Sequence, residues 1–251
     1  MTDQVNPLEK AVVPPTCSVI QAAVLRALPA LGLPARAQIL DAPCGDGALA
    51  SALREQGFEV WGADVDAAAQ QWLGDRFMIA DLNQPLPYPE ARFDALFCIE
   101  GLEHLENRFF FLREAHRVLR PGGLLLVTTP NIASLRSRVR FLGSAFYHKD
   151  PRPLNESRRH PLHHINLATF SDIRYALNTA GFCLNQFGHT HTKKVSYLYS
   201  VLAPWMWCYT TIAFRKEKDS VQRRRNREIR RTLFSRSVLF GENLILLARK
   251  V

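Results

Sequence analysis

Short apolar runs alternate with amphipathic stretches from Ala37 to Thr129. The runs have the length of buried strands, and the stretches between them repeat apolar positions at the spacing of a helix face. This alternation is typical of βαβ units around a parallel sheet. It predicts strands near Gln38–Ala42, Glu59–Ala63, Arg76–Ile79, Ala95–Ile99 and Leu124–Thr128, and helices over Ala48–Gln56, Asp66–Leu73 and Glu106–Leu119.

The remaining segments extend this pattern on both sides. A helix over about Ser18–Leu28 precedes the first strand, and Arg120-Pro121-Gly122-Gly123 is expected to end the helix before the fifth strand. Two later strands bring the predicted total to seven, so we predict an α/β fold with a doubly wound, mostly parallel sheet. The elements predicted after Pro130 are a helix (Ile132–Leu142), a polar loop rich in proline and histidine (Tyr147–Asn166), a helix (Ser171–Ala180) and strands at Phe182–Gly188 and Asn243–Ala248.

Composition narrows the class of protein. With 47% hydrophobic and 22% charged residues in 251, the chain is not of the disordered, collagenous or repeat type. Its five cysteines are scattered without a CxxC pair, which predicts neither a disulfide framework nor a zinc cluster. The first ten residues carry acidic groups and no apolar segment, so we expect no secretory signal and a cytoplasmic location.

The positive charge is concentrated in one segment. The whole chain carries a net charge of +9, and residues Lys193–Arg236 hold 12 basic against three acidic residues, a difference that also equals +9. The rest of the protein is therefore balanced. Partners that need positive charge, such as nucleic acid or an anionic membrane, are expected to use this segment.

Glycines and carboxylates follow the predicted strands. Asp41 ends the first strand and leads into Pro43-Cys44-Gly45-Asp46-Gly47, where glycine allows a ligand to approach the backbone closely. Asp64 ends the second strand, 23 residues after Asp41. This is the sequence separation expected for a carboxylate that accepts hydrogen bonds from a ribose diol. Asp81 ends the third strand. The pattern predicts a nucleotide-type cofactor at this edge of the sheet.

These residues resemble the class I S-adenosylmethionine-dependent methyltransferases from about Ala37 to Asn131, with weaker similarity to Val251. Phe93–Glu100 with Leu102-Glu103-His104 resembles the family's fourth strand and its exit, and Arg117–Gly123 resembles the turn before the fifth strand. Pro43 departs from the usual glycine and has no N–H to donate. The resemblance implies S-adenosyl-L-methionine as cofactor, with these contacts: Asp41, Cys44, Gly45, Gly47, Asp64, Val65, Asp81, Leu82, Ile99 and Glu100.

The resemblance also implies a Rossmann-like methyltransferase fold in a single domain of residues 1–251. It divides the chain into a cofactor-binding core (15–131), an acceptor-side loop, helix and strand (132–189), an apolar then basic α-helical insertion (190–236) and a closing strand (237–251). A nicotinamide-dependent dehydrogenase is the nearest rival. It fits less well, because the glycines of residues 44–50 lack the third position of GxGxxG.

Glu100, Glu103 and His104 share one face if their segment is helical. The Glu-x-x-Glu-His pattern is similar to that of ubiquinone-pathway O-methyltransferases, where it is associated with a divalent metal, so Mg²⁺ is a candidate here. The alternative hypothesis is that Glu103 and His104 cap the Glu106 helix while Glu100 contacts the cofactor. The sequence leaves the metal unknown.

A histidine cluster lies in the loop after the fifth strand, at His160, His163 and His164. In the family this region commonly covers the acceptor, and histidine can take a proton from a hydroxyl near neutral pH. We therefore take His164 as the candidate base, with Glu103 and His104 as further catalytic candidates; a structural or solvent-exposed role is the alternative for each histidine.

Two acceptor classes are disfavoured by the residues at the end of the fourth strand. Family members that methylate exocyclic amines of nucleobases carry Asn/Asp-Pro-Pro-aromatic there, and this chain has Cys98-Ile99-Glu100-Gly101. RNA cytosine-carbon enzymes need a cysteine preceded by proline, whereas Cys98 is preceded by Phe97.

The insertion begins with an uncharged run of 20 residues, Val195–Phe214, which leads into an arginine-rich stretch to Arg231. A single membrane crossing would separate the strands on either side, so we expect no simple span. Its tyrosines and tryptophans favour the membrane–water interface, and its arginines suit anionic head groups. Three hypotheses fit this segment: docking on an anionic membrane through residues 195–236, a helical cap that packs on the domain, and, less favoured, contact with nucleic acid.

Together these expectations describe a methyltransferase that acts on a hydroxyl of a small hydrophobic or lipid-linked acceptor at the cytosolic face of a membrane. RNA methylation through the basic insertion is the first alternative. A non-catalytic cofactor-binding interaction module is the second.

Overall fold

The computed structural model describes residues 17–147, 153–157, 160 and 162–251. The N-terminal segment on which the expected lack of a secretory signal rests lies outside the described residues. These contain one seven-stranded sheet in the order β3-β2-β1-β4-β5-β7-β6, which confirms the predicted α/β class and doubly wound arrangement. The strands are β1 (Gln38–Asp41), β2 (Glu59–Asp64), β3 (Phe77–Ile79), β4 (Phe93–Ile99), β5 (Leu119–Pro130), β6 (Phe182–His189) and β7 (Asn243–Lys250).

Pairing in the sheet brings the predicted carboxylates to one edge. Strands β1 to β5 are parallel neighbours, with Asp41 paired to Gly62 and Asp64 to Ile79. Strand β7 runs antiparallel between β5 and β6. Because the parallel strands end at the same edge, the loops after β1, β2, β3 and β4 lie together, where ligands of such sheets bind.

Helices cover both faces of the sheet, and several of them begin at side-chain caps. Ser18 caps the first helix, Asn107 the fourth, Ser134 the fifth and Thr169 the sixth. Each capping oxygen accepts a backbone N–H that the helix leaves unpaired. The helices are α1 (Val19–Ala27), α2 (Ala48–Glu55), α3 (Gln70–Leu73), α4 (Arg108–Val118), α5 (Leu135–Ser144), α6 (Phe170–Thr179), α7 (Ala203–Arg215), α8 (Ser220–Leu233) and α9 (Arg236–Phe240).

Three predicted boundaries were wrong for local reasons. Helix α5 begins at Leu135 rather than Ile132, because Ser134 caps it. Helix α4 passes directly into β5, so the predicted turn at 120–123 forms part of the strand segment. The segment 237–251, expected to be a closing strand, begins inside α9, and its strand β7 starts only at Asn243.

The core lies on both faces of the sheet, because successive strand residues point to opposite sides. Leu40 and Leu96 pack on the side of α4 and α6, and Ile39 and Phe97 pack on the side of α1 and α2. All four are fully buried. This two-sided burial explains the continuous apolar runs of the sequence.

The insertion forms a 3₁₀ helix (Lys194–Leu202) followed by α7 and α8. Its 20-residue apolar run is thus divided just before Pro204. Helices α7 and α8 contact each other, with the Arg230 guanidinium 5.1 Å from the centre of the Trp207 ring. Within the described residues, no helix has the length and apolarity needed to cross a membrane.

Candidate active site

A cavity of about 670 Å³ opens at the carboxyl ends of β1 to β4. Its size is that of a pocket for a nucleotide-sized ligand. It begins at the turn after β1, where Gly45 has a φ of +54° and Gly47 a φ of +83°. Glycine adopts these left-handed values without steric cost. The turn therefore lets backbone atoms of residues 43–45 line the cavity.

Asp41 at the end of β1 and Asp64 at the end of β2 both line this cavity, but they differ in their hydrogen bonding. Asp64 accepts hydrogen bonds from the N–H of Gly45 at 2.8 Å and the N–H of Asp66 at 3.0 Å. Each of its oxygens keeps a lone pair for a further donor. Asp41 is 1% exposed, and among the described residues its carboxylate has no hydrogen-bond partner. Burial, and then the charge of Asp64, raise the pKa of Asp41 well above its usual range.

The loop after β3 supplies the next side of the cavity. Asp81 accepts hydrogen bonds from the backbone N–H of Asn83 at 2.9 Å and from its side-chain amide at 3.0 Å, while Leu82 is buried. The Asn83 amide oxygen in turn accepts from the N–H of Glu106 at 2.9 Å. These bonds fix the position of the cavity wall opposite the glycine turn.

Most of the predicted cofactor contacts line this cavity: Asp41, Cys44, Gly45, Asp64, Val65, Asp81, Leu82, Ile99 and Glu100. Gly47 does not line the cavity. A Cβ at this position would lie 3.2 Å from the Ala69 Cβ, so glycine here allows the start of α2 to pack closely against Ala69. Pro43 does line the cavity. A Cβ on Gly101 would lie 2.5 Å from the Pro43 Cδ, so Gly101 makes the space that the proline ring occupies.

Glu100 lies at the wall of the cavity but not on the predicted shared face. It has a φ of +50°, outside a helix, and its side chain turns toward β5 and β7. Its carboxylate accepts from the Thr128 hydroxyl at 3.0 Å and the Asn243 amide at 2.8 Å. Burial raises its pKa to about 7. The predicted Glu100–Glu103–His104 face is therefore wrong, since the backbone turns Glu100 away.

A different trio is brought together: Glu103, His104 and His164 each place one side-chain atom within 4.8 Å of the others. The His104 and His164 rings meet edge to face, with centres 4.8 Å apart. The alternative that Glu103 and His104 cap the following helix is also wrong, because Asn107 caps it. The two clusters predicted separately thus form one site.

The state of His104 is set by its surroundings. Its Nδ1 lies 3.1 Å from the carbonyl oxygen of His163, and a carbonyl only accepts, so Nδ1 carries the proton. In the neutral ring the lone pair is therefore on Nε2. Burial lowers the pKa of His104 from 6.5, which keeps the ring neutral near pH 7. His104 lines the main cavity, so its Nε2 can accept a proton from a group bound there.

Glu103 lies behind the histidines and is 1% exposed. Its carboxylate oxygens make no hydrogen bond of good geometry within the described residues, with the Thr129 hydroxyl as the polar group beside them. Burial, and then the charge of Glu100, raise the pKa of Glu103 to about 8. A buried titratable carboxyl beside two imidazoles is typical of functional sites.

Hydrogen bonds to backbone carbonyls bring the histidine loop to this site. The N–H of Asn166 donates to the carbonyl of Glu103 at 2.9 Å, and its side-chain amide donates to the carbonyl of Leu105 at 2.9 Å. His160 and His163 consequently line the main cavity, together with the apolar Leu162 and Ile165.

His164 lines a second, smaller cavity of about 150 Å³ on the other side of Glu100. Arg136 and Arg140 of α5 line it, and Arg136 is paired with Glu242 at 3.0 Å. Glu100 belongs to both cavities. The catalytic candidates therefore lie where the two cavities meet.

Residues 17–186 match the family described as "Methyltransferase domain". The match covers more than half of the chain. The chain belongs to this methyltransferase family. The predicted membership in the class I S-adenosylmethionine-dependent group is thereby confirmed, and the cavity at the ends of β1 to β4 is the place where the family's cofactor is expected.

Individual relatives agree with this family. A protein from Mycolicibacterium smegmatis named as a probable S-adenosylmethionine-dependent methyltransferase is 31% identical over 150 residues, which are 57% of this chain and 51% of that protein. A ubiquinone biosynthesis O-methyltransferase from Alkalilimnicola ehrlichii is 33% identical over 105 residues, 38% of this chain and 42% of that protein. The chain spans about half or less of the length of these curated relatives.

The fold has solved counterparts within the family. The crystal structure of a SAM-dependent methyltransferase from Archaeoglobus fulgidus superimposes with a TM-score of 0.56 at 17% identity, covering 92% of this chain and 93% of that one. This likeness confirms the Rossmann-like methyltransferase fold.

Several site residues of this methyltransferase were not predicted from the sequence: Pro43 and Gly101 as packing partners, Asn83, Thr128 and Asn243. Asn83 comes two residues after Asp81 in a turn-forming Asp-Leu-Asn sequence, which is a usable signal. Asn243 has no such signal, because it reaches Glu100 from the last strand.

Proposed function

We propose that the protein is an S-adenosylmethionine-dependent O-methyltransferase whose acceptor is a hydroxyl group on a hydrophobic or lipid-linked molecule. The observation that carries this proposal is the neutral His104 at the wall of the cofactor cavity, backed by the buried carboxyl of Glu103. A hydroxyl nucleophile needs a base, and an amine that is already deprotonated does not.

The cavity suits the cofactor that the family implies. Asp64 offers lone pairs to the two ribose hydroxyls, and the unpartnered carboxylate of Asp41 offers acceptors to a polar or cationic group. Asp81 and Leu82 lie on the side expected to meet the adenine. S-adenosylmethionine supplies an electrophilic methyl group when bound. The protein's own task is to align the acceptor oxygen and take its proton.

His104 takes the hydroxyl proton at Nε2 in this proposal, and the backbone carbonyl of His163 holds the opposite ring nitrogen. His164, the base expected from the sequence, lies against His104 from the acceptor-side cavity. The Glu103–His104–His164 trio thus places two further titratable groups beside the proposed base. Buried titratable groups are a usual feature of catalytic sites.

The side chains of Glu103, His104 and His164 also determine which divalent metal ion this site could hold. Magnesium prefers six oxygen ligands in near-octahedral geometry, whereas one carboxylate and two imidazoles suit a softer divalent ion such as Zn²⁺. The residues therefore do not fit the expected Mg²⁺. We propose a metal-independent base; if activity instead falls with a chelator, restoration by Zn²⁺ rather than Mg²⁺ is the outcome that this donor set favours.

Apolar side chains in the main cavity favour a hydrophobic acceptor. Leu105, Leu162 and Ile165 border the region next to His104, and they favour an apolar body carrying the hydroxyl. The ubiquinone biosynthesis O-methyltransferase among the relatives supports a hydrophobic acceptor of this kind. Such acceptors are carried by membranes, which suits the expected position at the cytosolic membrane surface.

The test uses methyl-labelled S-adenosylmethionine with lipid, small-metabolite and RNA fractions in parallel, and mass spectrometry of the products. We expect labelled methyl ether groups in the lipid or metabolite fraction. His104→Ala should lower turnover on the order of 10²–10⁴-fold while affinity for S-adenosylhomocysteine changes little. His160→Ala is the matched control, since this histidine also lines the cavity but lies outside the trio. Label confined to RNA, or equal losses in both variants, would contradict the proposal.

A further inference from the structure

An apolar stripe runs along the outer side of the insertion. Its members are the exposed side chains of Leu198 (75% exposed), Val201 (76%), Trp205 (68%), Tyr209 (67%) and Ile212 (61%). Trp205, Tyr209 and Ile212 succeed one another at the spacing of a single helix face on α7. Large apolar side chains exposed together on one face mark an interaction surface.

The stripe is not the packing face of the insertion. Helix α7 meets the domain through Met206, whose sulfur lies 3.5 Å from the Arg138 guanidinium. It meets α8 through Trp207 and Thr211, both of which contact Arg230. No residue of α7 is fully buried. The cap hypothesis therefore accounts for Met206 and Trp207 but leaves the stripe without a partner in the described part of the chain.

Helix α8, which packs against α7, carries exposed positive charge. Arg224, Arg227 and Arg231 are exposed, succeed one another at near-helical spacing, and make no ion pair with any described residue. Glu228 does not offset them, because it pairs with Arg174 at 3.0 Å. The last residue of α7, Arg215, and the following Lys216 are also exposed and basic.

We infer that the stripe and the arginines of α8 form a docking surface for an anionic lipid bilayer. The stripe inserts at the level of the head groups, where Trp and Tyr are favoured, and the arginines contact the lipid phosphates. RNA would account for the arginines but not for exposed Leu198, Val201 and Ile212, which an RNA-binding surface does not need.

The docking surface lies next to the acceptor side of the active site. Helix α5 contacts the 3₁₀ helix of the insertion and also contributes Arg136 and Arg140 to the smaller cavity. One helix thus separates the proposed membrane surface from the place where His164 lies. Docking itself does not depend on methyl transfer, so it is tested separately from the proposed function.

The experiment is flotation of the full chain with vesicles of phosphatidylcholine alone and of phosphatidylcholine with phosphatidylglycerol. We expect flotation with the anionic vesicles and release as salt rises. Replacing Arg224, Arg227 and Arg231 by Gln should lower the partition coefficient on the order of 10–100-fold.

Two tryptophans provide a matched pair of variants. Trp205→Ser should lower partitioning by about tenfold or more without changing the melting temperature. Trp207→Ser should lower the melting temperature, because Trp207 packs on Arg230. The proposal is overturned if wild-type protein does not float, or if Trp205→Ser floats as well as wild type. It is also overturned if a short RNA binds with the same salt dependence and blocks flotation while Trp205→Ser has no effect on either.

Discussion

Glu103→Gln is expected to stabilise the protein at alkaline pH and not at acid pH. The glutamate is almost fully buried, and burial raises its pKa from 4.5 to about 8. Between these pH values the folded protein keeps a proton that the unfolded chain releases. The free energy of unfolding of the wild type must therefore fall as pH rises from about 4.5 to 8, and glutamine, which does not ionise, removes this loss.

The magnitude is set by the pKa. Each pH unit between the unfolded and folded values corresponds to about 1.4 kcal/mol, so ionised Glu103 lowers stability on the order of 3–5 kcal/mol at pH 8.5. Glu100 lies close enough to raise the pKa of Glu103 and itself has a pKa of about 7, so the two carboxyls share this titration. The lower half of the range is expected for replacing Glu103 alone.

Urea unfolding at pH 5.0, 7.0 and 8.5 measures the effect, with the slope of each transition compared to verify that both proteins expose the same surface. The difference between Glu103→Gln and wild type should be near zero at pH 5.0 and favour the variant at pH 8.5. Glu55→Gln, at an exposed position, is the control and should show no such trend. Parallel pH profiles for wild type and Glu103→Gln would refute the reasoning.

Three further outcomes are expected. Asp64→Ala should weaken S-adenosylhomocysteine binding by roughly 1–3 kcal/mol in calorimetry, because two ribose hydroxyls lose their acceptor; unchanged affinity would remove Asp64 from the cofactor site. Gly101→Ala places a Cβ 2.5 Å from the Pro43 ring and should cost about 1–3 kcal/mol of stability in denaturation, whereas Gly143→Ala, where space is open, should not. The acid limb of the pH–rate profile should have its midpoint below 6.5, because the base must be neutral and burial lowers the pKa of His104; a midpoint above 6.5 would point to a different base.

The residues that line the cavity at the ends of β1 to β4 were predictable because their signals are local. Asp41, Gly45 and Asp64 each end a strand or come shortly after one, and parallel strands must end at the same edge. The apolar runs are also local signals, and they predicted the start and end of most strands closely. Caps were a main source of boundary errors, since an N-cap such as Ser134 shifts a helix start without changing the apolar pattern.

The Glu103–His104–His164 trio depends on contacts between distant segments. His104 and His164 are 60 positions apart, and most of the bonds that join their loops are accepted by backbone carbonyls, which carry no residue signature. Glu100 was assigned to the wrong face because its positive φ and its bond to Asn243 are not visible in the spacing. Likewise, the apolar run of the insertion did not reveal that Trp205 (68% exposed) is the more exposed tryptophan and that Trp207 (46% exposed) contacts Arg230 of α8.

The position of β7 has a consequence for the order in which the molecule is completed. Strand β7 is the last element of the sheet in the chain, yet it lies between β5 and β6 and supplies the amide that holds Glu100. During synthesis, the glycine turn and Asp64 emerge long before Asn243. A nascent or C-terminally shortened chain therefore contains the glycine turn and Asp64 before Glu100 has its second partner, so the wall shared by the two cavities is the last part of the site to be completed.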